Sequence, residues 1–259
     1  VNWCISKGIE KSEECSNGNG GLRKILGITG VLFDLGLLFY FKYFDFFIEN
    51  CNVLLHTNWA LKNIVLPLGI SFFTFQNLSY VFDVYYEKEK PERSFINYAA
   101  YISMFPQLIA GPIVTYNEVR KQMIRRKFTV RKIQLGIKYF LFGLGFKVLI
   151  ANRIGGLWSD ISGIGYESIT TPLAWMGIIA YSLQLFYDFW GYSLMAIGMG
   201  MMLGFRFPKN FDAPYRSVSM SEFYRRWHMT LGNWFKEYVY IPLGGNRVSL
   251  LRNVFNLFV

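Results

Sequence analysis

The sequence predicts an all-α, polytopic membrane protein, and three observations carry that prediction. Hydrophobic residues make up 53% of the 259 residues and charged residues only 17%, against about a quarter charged in an ordinary soluble domain. Long windows are free or nearly free of charge: Ile64 to Phe82 and Ser94 to Tyr116 carry none, and Leu173 to Gly204 carries only Asp188. The 27 basic residues that outweigh 17 acids are bunched, seven between Arg120 and Lys132 and eight between Arg206 and Arg252. Short basic loops between apolar spans are the pattern of cytoplasmic loops facing an anionic leaflet. A nucleic-acid binder would need a soluble basic face, and none is visible.

Taken in order, residues 1–24 read as a polar N-terminal loop, rich in Gly, Asn and Ser around Ser16 to Gly21. Residues 25–259 read as the membrane domain. Ile25 to Phe41 holds one charge, Asp34, and approaches the roughly 20 apolar residues that cross a bilayer. An amphipathic stretch, Tyr43 to Leu55, follows. Ile64 to Tyr86 is the clearest span, despite Pro67 and Gly69 near its start. Asp83 to Arg93 is a charged loop of mixed sign. Ser94 to Tyr116 is uncharged but interrupted by Pro106, Gly111 and Pro112. It fits either a re-entrant segment lining an internal cavity or an ordinary kinked span.

Ile133 to Ala151 is a further span, and Asn152 to Thr171 reads as an external loop. Leu173 to Gly204 is too long for one upright crossing, at about 50 Å for 32 residues. Two short helices breaking near Gly191 would fit its length. The charge asymmetry of the flanking segments favours one broken crossing. Cys4, Cys15 and Cys51 form no CxxC pair and are odd in number, so neither a disulfide frame nor a zinc site is indicated. The first residue is Val and no signal peptide follows, while Leu250 to Val259 resembles a helix stopped in mid-course, so the chain reads as an internal piece of a longer protein.

The segment with most chemistry is SMSEFYRRWHMTLGNWFKEYVYIPLGG, Ser219 to Gly245. Ser219 with Glu222 is a capping-box pattern that starts a helix. Phe223, Trp227, Leu231, Trp234 and Tyr238 would form one apolar stripe along it, with His228 at the stripe's edge and Arg225, Arg226 and Lys236 as its basic component. His228 is one of two histidines in the chain. Ionisable groups among membrane segments are costly, which favours a role over chance. It could act as a general base, kept neutral by repulsion from the neighbouring arginines. Those arginines could equally hold an anionic donor, such as a phosphate or pantetheine group. The plainer reading is a buried His making one structural hydrogen bond.

Other positions are weaker. His56 reads as a solvated loop residue. Asp188 is an intramembrane carboxylate for which Arg206 or Arg216 could be the partner. Gln107, beside Pro106 and with Gly111-Pro112, could present backbone groups to a substrate, or simply sit in helix-breaking geometry. No hydrolase, nucleotide-binding or zinc-peptidase motif is present.

Six segments in one order carry a resemblance. Leu66 to Gln76, Phe105 to Ile113, Tyr187-Asp188-Phe189 with Gly191-Tyr192-Ser193, Gly204 to Pro208 with Asn210-Phe211, Arg225 to His228, and Tyr240 to Gly245 together resemble the membrane-bound O-acyltransferase family. The nearest branch is similar to bacterial alginate O-acetyltransferases, related to the D-alanyl transfer protein of teichoic acids. The resemblance implies a partial, funnel-shaped helical bundle in the cytoplasmic membrane, with broken or re-entrant segments. It implies transfer of an acyl group from a thioester donor, acetyl-CoA or an acyl carrier, to a hydroxyl of an exported polysaccharide. No bound cofactor or metal is implied; extracytoplasmic partner proteins are. His228 matches the family's tryptophan-histidine motif with Trp227. Asp188, Arg206, Arg225 and Arg226 match shared motifs without an assigned step. Family members carry further N-terminal spans, and beyond the position of Val259 a second His commonly given the catalytic role. The expectation is therefore of an incomplete O-acyltransferase, His228 acting as base or as orienter of the second His. The rival reading is a non-catalytic scaffold or acyl relay for partner acyltransferases. A transporter or channel would rest on the broken spans and Asp188, without the inverted repeat that such folds often have.

Overall fold

The structure is a computed structural model that describes residues 1–15, 20–108, 111–165 and 168–258. Every regular element among them is helical, and they fall into two compact units. One comprises residues 1–109, 115–120 and 234–259, the other residues 110–114 and 121–233. Among the described residues, two segments are long and apolar enough to cross a membrane, Gly21–Leu55 and Val130–Gly163.

The first unit is built on α1 (Asn2–Cys15), α2 (Gly21–Leu38) and α4 (Ile70–Tyr85), which pack on one another. Residues 1–24 are therefore not the loop their polarity suggests. Asn2, Ile5, Ser6, Ile9 and Ser12 recur at helical spacing and form a buried face. Small polar side chains on that face hide it from a hydropathy reading, yet each is used. Asn2 Nδ2 donates to both oxygens of the buried Asp34 at 2.8 and 2.9 Å, and Ser6 Oγ lies 3.2 Å from the Tyr80 hydroxyl. Within the expected loop Ser16 to Gly21, residues 16–19 lie outside the described residues.

α2 runs without a break through a π-helical turn, Phe39–Tyr43, into α3 (Phe44–Leu55), so the expected span and the amphipathic stretch behind it are one 35-residue helical segment. His56 ends α3 with a left-handed backbone, φ +51°, and is exposed, as expected of a loop residue.

The span expected at Ile64 to Tyr86 is corrected. Gly69 takes φ +73°, and a Cβ there would meet the Leu108 carbonyl oxygen at 2.1 Å. The helix starts only after it, and α4 is 16 residues long with Thr74, Gln76, Leu78, Tyr80 and Asp83 buried. It is the core helix of its unit. The interruption expected in Ser94 to Tyr116 is present: α5 (Phe95–Ile102) gives way to a 3₁₀ turn at Phe105–Gln107, and α6 (Tyr116–Ile124) starts only later. Ile109 and Ala110 of this stretch lie outside the described residues.

In the second unit, α7 (Val130–Gly145) continues through a π-helical turn, Phe146–Ala151, into α8 (Asn152–Gly163). The external loop expected at Asn152 to Thr171 is therefore mostly helix; residues 166–167 lie outside the described residues. α9 (Thr171–Met202) is continuous over 32 residues, which removes the expected break near Gly191. Glycine does a different job there. A Cβ on Gly191 would meet the Gly143 carbonyl at 2.7 Å, and one on Gly198 would meet the Gly136 carbonyl at 2.5 Å. These positions let α7 and α9 approach backbone to backbone, the small-residue packing of membrane helices.

Candidate functional site

The segment expected as one helix is divided at His228. α10 (Met220–Arg226) begins as the capping box predicts, with the Glu222 N–H donated to Ser219 Oγ at 3.2 Å and the Val218 N–H to Glu222 Oε2 at 3.1 Å. Trp227 closes it in an extended conformation, and His228 takes φ +43° before α11 (Met229–Phe235) starts. A π-helical turn, Lys236–Tyr240, follows. The continuous stripe from Phe223 to Tyr238 therefore does not exist: the chain breaks halfway along it. Two backbone bonds impose the break, Asp212 N–H to Arg226 O at 3.0 Å and Met229 N–H to Asn210 O at 2.9 Å. A left-handed non-glycine residue carries strain, and such strain clusters at functional sites.

Around His228 lies a chain of polar contacts that no local pattern announces. His228 Nδ1 is 2.8 Å from Asn210 Oδ1. Thr230 Oγ1 donates to the same oxygen at 3.0 Å and accepts the Ile113 N–H at 3.0 Å. Asn210 Nδ2 donates to Ser193 Oγ, on α9, at 2.9 Å. In this orientation of the Asn210 amide, Thr230 accepts from Ile113 and still has its own hydrogen for Asn210 Oδ1. With Asn210 Oδ1 turned to the ring, the oxygen can only accept, and the tautomer that matches it has the hydrogen on Nδ1 and the lone pair on Nε2. The ring of Phe189 meets the imidazole edge to face, centroids 4.7 Å apart at 88°.

His228 lies outside the two segments able to cross a membrane, and burial pushes its pKa down to about 4. The expected cause was repulsion from the arginines; desolvation replaces it. The arginines are placed otherwise. Arg226 pairs with Glu222 at 2.7 Å and donates to Asp212 O at 3.3 Å. Arg225 is exposed, with Nε on Ser221 O. Arg206 is exposed too, and its backbone N–H donates to Gln122 Oε1 at 2.8 Å.

Trp227 stacks on Phe223 at 5.5 Å and 17°, and meets Phe211 edge to face at 5.1 Å. Phe186, near both Trp227 and Phe211, continues this aromatic wall onto α9. Asp188 is ion-paired with Lys147 of the π-helical turn, not with Arg206 or Arg216. Helix length explains the correction: Asp188 stands 14 residues before the end of α9, about 20 Å along its axis. Gln107, in the other unit, is fully buried; its Nε2 donates to Tyr101 O at 2.9 Å while Oε1 has no partner. Among the described residues, no group of three His, Cys, Asp or Glu side chains is placed to hold a metal.

Arg226, Trp227 and His228 are neighbours in sequence, and the fold of the second unit adds Asn210, Thr230, Ser193 and Phe189 around the histidine. Asn210 stood in a recognised segment, but its partners lie 17, 18 and 20 residues away in sequence, so spacing alone could not find them.

Comparison with known proteins agrees with this segment order. The sequence profile of the membrane-bound O-acyltransferase family matches residues 88–259, and the chain belongs to that family. It is 42% identical over 90% of its length to a probable alginate O-acetylase AlgI of Pseudomonas aeruginosa, covering 45% of that protein. It is 38% identical over 90% of its length to a peptidoglycan O-acetyltransferase of Helicobacter pylori, covering 50% of it. A teichoic acid D-alanyltransferase of Bacillus subtilis is 29% identical over 69% of the chain, with 46% of that protein covered. The chain spans about half the length of the curated relatives it matches.

Proposed function

We propose that the full-length protein is a multi-pass acyltransferase of the cytoplasmic membrane, passing an acetyl group from a thioester donor to a hydroxyl of an exported polysaccharide. Family membership and the named activities of the relatives support the reaction class, and the two long apolar segments support the membrane setting. Residues 25–259 are its share of the family's membrane domain, with α1 packed onto it. The names of the same relatives support a polysaccharide acceptor; extracytoplasmic acetylation partners are part of the same proposal.

The hydrogen bond between His228 Nδ1 and Asn210 carries the assignment of the base. It points the Nε2 lone pair away from Asn210, and burial keeps the ring neutral at physiological pH. Nε2 takes the proton of the acceptor hydroxyl as its oxygen bonds to the acyl carbon. The tetrahedral adduct then collapses, the carbon–sulfur bond breaks, and the proton passes to the departing thiolate. Arg225 and Arg206 are exposed and suited to an anionic donor, Trp227 walls the base, and Asp188 and Gln107 hold polar groups beside apolar helices. General-base removal costs about 10²- to 10⁴-fold in rate. Cells expressing the full-length gene with His228→Ala are accordingly expected to export polysaccharide almost free of O-acetyl groups. Undiminished O-acetyl content would sink the role given to His228.

A further inference from the structure

We propose that the turn at Gly244–Gly245 forms a binding site for a phosphate-bearing ligand with an apolar or aromatic portion. A cavity of about 650 Å³ opens at this turn, and Lys236 and Arg247 both line it. Among the described residues neither side chain has an ion pair or hydrogen-bond partner. The one acid between Trp234 and Phe258 is Glu237, and it is already paired with Lys88 at 2.8 Å. Two cations therefore line one cavity, and neither of them is ion-paired among the described residues.

The backbone adds donors. Gly244 and Gly245 are consecutive left-handed residues, φ +107° and +54°, and a Cβ on Gly244 would meet Val248 Cγ1 at 2.5 Å. Asn256, from α12 (Leu250–Phe258), donates its amide to Leu243 O at 3.1 Å and Gly245 O at 3.3 Å. In a trans peptide the carbonyl and the next N–H point opposite ways. With Gly245 O turned to Asn256, the Asn246 N–H points away from it, and neither that N–H nor that of Val248 has an acceptor among the described residues. Unpaired backbone N–H groups at a left-handed turn make a concavity for anions, and two adjacent cations strengthen it. Tyr240, Ile241 and Val248 supply the apolar wall of the same cavity.

Two sources carry this chemistry, a nucleotide thioester donor and a phospholipid headgroup, and only the first rests on the acyltransferase reading. The test uses the purified full-length protein and two probes: coenzyme A in detergent, and nanodiscs of phosphatidylglycerol set against phosphatidylcholine. A charge-assisted bond to a phosphate is worth about ten-fold or more in affinity. Lys236→Gln and Arg247→Gln are each expected to weaken one probe about ten-fold, the double variant to abolish its binding, and Lys236→Arg to retain it. Lys90→Gln, an exposed lysine of the same unit, controls for net charge. Loss of coenzyme A binding identifies the donor, and loss of phosphatidylglycerol preference identifies the headgroup. A folded double variant, with unchanged melting temperature, that keeps both overturns the proposal, as does a wild type that binds neither. His228→Ala separates the two readings: if acetylation persists in it while the cavity variants lose binding, the base assignment fails and the phosphate site stands.

Discussion

His228 sits in a backbone conformation that an L side chain adopts at a cost, and three bonds over-determine it: Met229 N–H and Asp212 N–H in the backbone, and the imidazole on Asn210. This is the arrangement expected of a positioned base. Asn210→Ala would free the ring to rotate and change tautomer. Acetylation is expected to fall by about 10-fold or more, with kcat rather than KM affected, as measured on the full-length protein. Asparagine tolerates the left-handed region, so His228→Asn should fold normally while acetylation is lost.

The pKa of about 4 sets a pH dependence. The unfolded chain holds this His near its ordinary 6.5. Its contribution to stability is therefore complete above pH 6.5 and is lost as pH falls towards 4, because the unfolded chain takes up the proton first. Chemical denaturation between pH 4 and 7 should show a steeper loss for wild type than for His228→Asn. A parallel fall in both would refute the burial argument. The histidine itself stood out in the sequence, because the chain has only two histidines and ionisable groups among apolar segments are costly. Its orientation did not, since that depends on Asn210 and Thr230, which meet it only after folding.

Between helices, glycine decides how close α7 and α9 come. Gly143→Leu would place a side chain where the Gly191 carbonyl now lies 2.3 Å from the position of a Cβ. Overpacking of this kind costs about 1–3 kcal/mol, and a lowered melting temperature in detergent is the expected reading. The same two helices share the Lys147–Asp188 pair. Removing either partner leaves the other without its counter-charge, so Asp188→Asn and Lys147→Met should each destabilise more than the two together. An additive double-mutant cycle would show the pair to be energetically idle. Sequence spacing found Asp188 and proposed arginines for it. The partner came instead from a lysine on the neighbouring helix, brought level by packing. Gly191, read as a helix breaker, is a contact glycine, because a residue that weakens an isolated helix also removes the obstacle between two.

Across the molecule, the apolar segments Gly21–Leu55 and Val130–Gly163 carry a membrane prediction of their own. The full-length protein should sediment with membranes and resist alkaline carbonate extraction; release into the soluble fraction would contradict that setting. Leu22, Ile25, Leu32, Leu141, Phe142 and Leu149 on these segments remain exposed, an apolar surface that water would not favour and acyl chains would. Composition, charge-free windows and the order of motifs were enough to read helical class and family and to single out His228 as the candidate base, because each is written in residue identity along the chain. Helix continuity at Gly191, the start of α4 after Gly69, the partner of Asp188 and the Asn210 contact of His228 were decided by contacts between residues far apart in sequence. Those contacts are where a hydrogen bond or a missing Cβ outweighs local propensity.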